Sequence, residues 1–118
     1  MKESVLKKKS YEFAIKIVKL YKFLVNDKKE FVLSKQLLRA GTSIWALVHE
    51  AEFWQSKANF INKLSIALKE ANESLYWLDL LKESEYIDND IYKSSYEFCR
   101  EILKMLVSSI NTLKKSNC

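Results

Sequence analysis

The residues of this sequence whose types could support catalysis are one histidine, two cysteines and a set of glutamates. A carboxylate-bridged metal centre in a helix bundle needs inward-facing glutamates and two Glu-x-x-His pairs. The residue three positions before His49 is Ala46, so the sequence excludes a di-iron centre of this kind. A Ser-His-Asp site would need a strained turn and oxyanion donors beside His49, which helix geometry does not supply. His49 is therefore interpreted as a surface or interface residue.

Glu50, Glu70 and Glu73 are the remaining candidates for acid–base chemistry. They would approach one another if the helices that carry them pack side by side, but paired carboxylates do such chemistry only in a pocket that shifts their pKa. The alternative is that they lie on solvated helix faces with Lys63 and Lys69 as neighbours. We therefore predict a protein that is not an enzyme, with no catalytic residues, no cofactor and no metal site.

A single glycine and no proline among 118 residues restrict the fold. Sandwiches and barrels need many tight turns, and phosphate-binding loops need several glycines close together, so both are excluded. Hydrophobic residues make up 48% and charged residues 30%, which indicates a globular chain. The uncharged runs are less than half of the roughly 20 residues that a membrane-spanning helix needs. Without a secretory signal or a disulfide framework from Cys99 and Cys118, we predict a cytoplasmic protein in which Cys99 is a small core residue.

The positive charge is concentrated in the first quarter of the chain. Residues 1–29 contain nine lysines and three acidic residues, whereas the whole chain has a net charge of +5. A basic segment of this kind attracts nucleic acid or anionic lipid. The predicted phosphate contacts are Lys7, Lys8, Lys9, Lys16 and Lys19. The alternative is a solvated helix face with a solubilising tail. Lysine dominates over arginine, which argues against bidentate recognition of bases.

The period of the apolar residues predicts four helices, over residues 10–26, 29–54, 57–84 and 89–115, preceded by a basic tail of residues 1–9. Capping residues support three of the starts: Asp27 followed by Glu30, Ser56, and Asp88. Short connections between helices of similar length make consecutive helices antiparallel neighbours. The sequence therefore predicts an all-α fold, an antiparallel up-down-up-down four-helix bundle, as a single domain spanning residues 1–118.

Gly41 lies in the middle of the second predicted helix, where glycine costs about 1 kcal/mol relative to alanine. Glycine at such a place allows another helix backbone to approach closely. We therefore predict a helix-packing role for Gly41 rather than a functional kink.

Four segments of the sequence form a recognisable set: SYEFA at residues 10–14, FVLSKQLLRAGTSI at 31–44, QSKA at 55–58 and FINKLSIALKEA at 60–71. Together with ESLYWL at 73–78, they closely resemble the bacterial four-helix bundle family, also known as the 23S rRNA intervening-sequence proteins. The resemblance covers residues 8–87 well and the last predicted helix only in general character. The runs 34–44 and 65–70 carry most of its specificity.

The resemblance implies a cytoplasmic bundle that assembles as a ring-like homopentamer. Members are encoded within insertions in ribosomal RNA genes or elsewhere in bacterial genomes. A distantly similar accessory protein of diversity-generating retroelements forms a basic pentamer that binds nucleic acid and a reverse transcriptase. The resemblance carries over no catalytic residue, only a packing or interface role for Lys35, Arg39, Thr42 and Ser43. The same role, in an oligomer or helix interface, is predicted for Gly41, Trp45, His49 and Trp54.

The sequence departs from the family pattern at three places. Trp45 stands where the family usually has glycine, Trp54 where a small residue is common, and Glu85 where a glycine often helps to end the third helix. A tryptophan in place of glycine on a packed helix either clashes or makes a new contact. We therefore expect Trp45 and Trp54 to alter the packing of subunits.

These residues lead to three hypotheses about function. The preferred one is a non-enzymatic homo-oligomer, with a pentamer favoured, that contacts RNA or DNA phosphates through its basic first helix. The alternative is a protein-interaction scaffold or accessory subunit, for example of a reverse transcriptase or polymerase, that binds its partner through exposed aromatic residues. The third is an enzyme with a glutamate-lined cavity. No membrane partner is predicted.

Overall fold

Four α-helices dominate residues 4–53 and 56–115, which are the residues that the structure, a computed structural model, describes. They are α1 (Val5–Asn26), α2 (Leu33–Ala51), α3 (Lys57–Glu83) and α4 (Asn89–Lys115). The described part of the chain contains no strand. The predicted all-α four-helix bundle is confirmed, and the bounds of α3 and α4 agree with the predicted ones to within a residue.

The hydrophobic core lies between the four helices. Helix α1 packs against α2 and α4, and α3 packs against α2 and α4. Each helix contributes the apolar row that its period predicts, and the fully buried side chains include Phe13, Ile17, Leu37, Ile44, Leu64, Leu78, Ile102 and Leu106. Contacts between α1 and α2 follow opposite orders along the two helices, with Lys7 beside Glu52 and Ile17 beside Gly41. This is the order that antiparallel neighbours require.

Helix α1 begins at Val5, five residues before the predicted start, so residues 5–9 are helical and do not form a tail. The backbone N–H of Lys7 donates to the hydroxyl of Ser4 at 3.2 Å, which caps the first turn. The hydroxyl of Ser10 is buried and donates to the carbonyl of Leu6 at 2.7 Å, inside the helix. The predicted start was too late because the lysines of this segment resemble a solvated tail. In the structure Leu6 of this segment packs against the core.

Helix α2 begins at Leu33, four residues after the predicted start, and ends at Ala51. Asp27 does not start this helix; it ends α1, and its backbone N–H donates to the carbonyl of Phe23 at 2.9 Å. The residue that caps α2 is Glu30, which is buried. Its carboxylate accepts hydrogen bonds from the backbone N–H groups of Val32, Leu33 and Ser34 at 3.1, 2.9 and 2.6 Å.

Two residues in the connections adopt a left-handed backbone conformation without being glycine. Lys29 has φ 55° in the connection after α1, and Glu85 has φ 65° in the connection after α3. A residue with a Cβ atom pays of order 1 kcal/mol for this conformation. At Glu85 the left-handed backbone lies where the family resemblance led us to expect a glycine.

Glu30→Ala is expected to lower the free energy of unfolding by about 2 kcal/mol, because three backbone N–H groups at the start of α2 lose a charged acceptor. Burial alone would raise the pKa of Glu30, but the hydrogen bonds from Leu33, Ser34 and Val32 outweigh it, so the pKa lies below its ordinary value of 4.5. The stabilisation from the charged form is therefore present above pH 4.5 and is lost as the pH falls through the lower pKa of the folded state.

Urea unfolding of the wild type, Glu30→Ala and Glu30→Gln from pH 7 down to the acid limb measures this effect. The glutamine side chain keeps an oxygen acceptor but does not titrate, so the stability advantage of the wild type over Glu30→Gln should shrink as the pH falls. An advantage that stays constant over the whole range would contradict the capping role of the charged carboxylate.

Candidate nucleic-acid interface

The solvent-facing side of α1 carries four lysines that have no ion pair within residues 4–53 and 56–115. Lys8, Lys19 and Lys22 are exposed, and Lys16 is half-buried. An α-helix turns about 100° per residue, so Lys8, Lys19 and Lys22 fall within one narrow stripe of the helix surface. We call Lys8, Lys19 and Lys22 the lysine stripe. Their ammonium groups are placed where a phosphate backbone could reach all three.

The other two predicted phosphate contacts, Lys7 and Lys9, are engaged within the bundle. The Nζ atom of Lys7 lies 2.8 Å from Oε2 of Glu52, just after α2. The Nζ atom of Lys9 lies 3.5 Å from Oε1 of Glu101 on α4 and 5.3 Å from the ring centroid of Phe98. These two lysines therefore hold α1 against its two neighbours. Of the predicted set, Lys8, Lys16 and Lys19 have no ion pair among the described residues, whereas Lys7 and Lys9 do.

Lys22 was absent from the predicted set although it belongs to the lysine stripe. The predicted lysines of α1 follow one row of polar residues along the helix. Lys22 lies on the other edge of the exposed surface, away from that row. The signal that could have found it is its spacing of three residues after Lys19 and fourteen after Lys8, both close to whole helical turns.

The side of α1 that faces α4 has a mixed charge. Lys16 and Lys19 line a groove of about 420 Å³ together with Asp90, Ser94 and Ser95 of α4. Glu101 of the same helix already pairs with Lys9. Carboxylates along this side weaken the attraction that it would have for a phosphate.

A row of four aromatic rings crosses from α1 to α2. The ring centroids of Tyr11 and Trp45 are 5.3 Å apart, those of Trp45 and His49 are 5.3 Å apart and stacked at 21°, and those of His49 and Phe53 are 5.6 Å apart. We call Tyr11, Trp45, His49 and Phe53 the aromatic row. Its two end residues are well exposed, Tyr11 at 51% and Phe53 at 73%. Nδ1 of His49 is buried, lies 3.8 Å from Oε2 of Glu52 and has no hydrogen-bond partner among the described residues.

Most of the predicted interface residues make contacts within this one chain. A Cβ atom added to Gly41 would lie 2.9 Å from Cγ1 of Ile17, so Gly41 lies at the packing contact between α2 and α1. The hydroxyls of Thr42 and Ser43 donate to the backbone carbonyls four residues earlier. Trp45 makes the new contact of the aromatic row where the family usually has glycine. Trp54 lies outside the described residues.

The glutamates considered for acid–base chemistry each face a cation. Arg39 on α2 donates to both Glu70 and Glu73 on α3, with Nη1 3.2 Å from Glu70 and Nη2 2.8 Å from Glu73. Glu50 lies 2.9 Å from Nζ of Lys63. These ion pairs join α2 to α3. The three carboxylates therefore have a structural role, as partners of cations on the neighbouring helix. Glu70 and Glu73 lie about one turn apart on α3 and share Arg39 as a partner, whereas Glu50, which was predicted to approach them, pairs with Lys63.

Cys99 is buried in α4, and its thiol donates to the carbonyl of Ala71 at 3.4 Å. Burial raises the pKa of this thiol to about 12, so almost none of it is thiolate at neutral pH.

Among residues 4–53 and 56–115, no group of three His, Cys, Asp or Glu side chains is placed to hold a metal ion. In the same residues, no helix combines the length and apolar character needed to cross a membrane.

The family model described as 23S rRNA-intervening sequence protein matches residues 2–108 of this sequence. The chain belongs to the 23S rRNA-intervening sequence protein family. The resemblance seen in the sequence is thereby confirmed, and the match continues well into α4, where the motifs gave only general character. None of the curated proteins matches the chain.

A solved relative in this family has nearly the same structure. It is a crystal structure of a protein with unknown function from the S23 ribosomal protein family of Bacteroides thetaiotaomicron VPI-5482. The two chains are 61% identical, with a TM-score of 0.89, and the alignment covers 90% of this chain and 98% of the other. The fold is therefore shared with a protein that is described as having unknown function.

Proposed function

We propose that this member of the 23S rRNA-intervening sequence protein family is a non-enzymatic, homo-oligomeric bundle that contacts the phosphates of RNA or DNA through α1. The observation that carries the proposal is the lysine stripe. Lys8, Lys19 and Lys22 are exposed on one side of α1 and have no ion pair within the described residues. Exposed ammonium groups in a row attract a phosphate backbone whatever its sequence.

A structural role for the carboxylates supports the non-enzymatic part of the proposal. Glu50, Glu70 and Glu73 are each held by a lysine or arginine across a helix contact. General acid–base catalysis would need a carboxylate in a pocket that shifts its pKa toward neutrality, rather than one paired with a cation.

Self-association would strengthen phosphate binding. Each chain carries a net charge of +5, so an assembly of several copies presents several lysine stripes and a larger positive field. We favour a pentamer because the family resemblance implies one. Light scattering on the purified protein is expected to give a mass of about five chains. A mass of one chain at micromolar concentration would contradict the oligomeric part of the proposal and leave the phosphate contacts to be tested separately.

Fluorescence anisotropy with a labelled, structured RNA tests the phosphate contacts. We expect binding at low salt, with the logarithm of the affinity falling linearly as the logarithm of the salt concentration rises. A slope of about −0.7 to −0.9 arises per phosphate contact, so the slope counts the contacts. Absence of binding at low salt, or binding that is indifferent to salt, would refute the proposed function.

A further inference from the structure

The aromatic row and the lysine stripe lie next to each other on the outer surface of α1 and α2. Lys8 is nearly one helical turn before Tyr11, and Lys22 is three turns after it, about 20° further around the helix. At the other end of the row, Phe53 follows Glu52, whose carboxylate is paired with Lys7. Lys35 on α2 is also exposed and has no ion pair among the described residues. Tyr11 is therefore flanked along α1 by Lys8 and Lys22, which have no ion pair among the described residues, whereas Lys7, at the Phe53 end of the row, is paired with Glu52.

The two inner rings of the row support the two outer ones. Trp45 and His49 are partly buried and stack on each other, which fixes their planes against α1 and α2. Tyr11 packs against Trp45, and Phe53 packs edge-on against His49, yet both outer residues keep at least half of their surface exposed. A preorganised and exposed ring costs little side-chain entropy when it binds a second flat ring.

We propose that this surface binds unpaired nucleotides, with bases stacked on Tyr11 and Phe53, while Lys8 binds a phosphate next to Tyr11 and Lys22 binds a phosphate further along the strand, about 16 Å along α1. The inference rests on the proposed function and specifies its ligand as single-stranded nucleic acid. Stacking accepts any base because every base has a flat aromatic face. Stacking therefore fits a surface that has lysines and no arginine placed to form bidentate hydrogen bonds with a base edge. The flanking unpaired lysines favour a polyanion over an apolar protein surface as the occupant.

Anisotropy with a labelled oligouridylate of about 12 nucleotides, and with an RNA duplex of the same length, tests the inference. Tyr11→Leu and Phe53→Ala are each expected to weaken binding of the single strand at least about fivefold, because each loses one base-stacking contact. Leucine at residue 11 keeps an apolar contact with Trp45. Binding of the duplex should be unchanged, and the salt dependence should keep its slope because no phosphate contact is lost.

Phe31→Ala and Tyr76→Ala are matched controls, since these rings are 56% and 57% exposed but lie outside the aromatic row. Both should bind the oligouridylate as the wild type does, and Phe53→Trp should retain binding. Equal single-strand affinity for Tyr11→Leu, Phe53→Ala and the wild type would overturn the inference while leaving the proposed phosphate contacts standing. A lower assembly mass for the row variants in light scattering would also overturn it, because the surface would then be a protein contact. If neither RNA binds at low salt, the proposed function itself fails.

Discussion

Changing the three lysines of the stripe to glutamate, as Lys8→Glu, Lys19→Glu and Lys22→Glu together, is expected to weaken RNA binding at low salt by about a hundredfold or more. Each change removes an attraction to a phosphate and adds a repulsion. The salt dependence should also become shallower, by about one unit of slope for each lost contact. All three side chains are exposed and have no ion pair in the described part of the chain, so the fold should be retained.

A second triple variant separates the position of the charges from their number. Lys69, Lys93 and Lys104 are also exposed, lie on α3 and α4, and have no ion pair within residues 4–53 and 56–115. Changing them to glutamate alters the net charge by the same amount as the stripe variant does. We expect this control to lose much less affinity and to keep most of the salt slope. Equal losses for both triple variants would mean that net charge, and not the surface of α1, governs binding.

Gly41→Leu is expected to destabilise the bundle by about 3 kcal/mol or more, the upper range for overpacking a core. A Cβ atom at this position would lie 2.9 Å from Cγ1 and 3.0 Å from Cγ2 of Ile17, and 3.3 Å from its Cβ. Ile17 is fully buried and, as a β-branched residue, cannot rotate away inside a helix. Leucine adds further atoms to the same contact, so α1 and α2 would have to separate.

Gly41→Ala distinguishes this clash from the helix propensity of glycine. Alanine gains about 1 kcal/mol of propensity in a helix interior, so on propensity alone it would stabilise the protein. We expect the clash with Ile17 to exceed that gain and to give a net loss of about 1 kcal/mol. Ala46→Leu, at a half-buried position of the same helix, is the control and should destabilise the protein less than Gly41→Leu does. Thermal and urea unfolding measure all three, and a Gly41→Ala protein more stable than the wild type would contradict the close contact.

The helical period was sufficient to predict four helices and most of the core, but local rules misplaced two helix starts. Asp27 and Glu30 are both acidic and both lie at suitable spacing for an N-cap. Which of them caps α2 depends on where α1 ends: Asp27 belongs to the end of α1, and the Glu30 carboxylate is left to accept from the backbone N–H groups of residues 32–34. The start of α1 was missed because charged residues that resemble a solvated tail follow Ser4, although Ser4 is an ordinary capping residue.

The candidate site was predicted in its residue types more than in its geometry. The concentration of lysines in α1 was evident from the sequence, but the engagement of Lys7 and Lys9 depends on Glu52 and Glu101, which are distant along the chain. The difference from the family pattern at Trp45 was also evident from the sequence. Its contact with Tyr11 was not, because Tyr11 lies on another helix. Pairings between helices need the register of the bundle, which hydrophobic periodicity does not specify.

The left-handed residues Lys29 and Glu85 have a consequence for how the chain folds. Glycine would let each turn form cheaply on its own, whereas a lysine or glutamate at φ 55° or 65° makes the turn unfavourable until something else holds it. After α1, that support comes from the backbone N–H of Glu30, which donates to the carbonyl of Leu24 at 2.9 Å, and after α3 from the N–H of Tyr86, which donates to Leu81 at 2.9 Å. Each turn therefore depends on the last residues of the helix before it and forms only once that helix has formed. A fragment containing α1 and its following connection should leave the reversal unformed, and the intact bundle should lose its helices in a single cooperative transition.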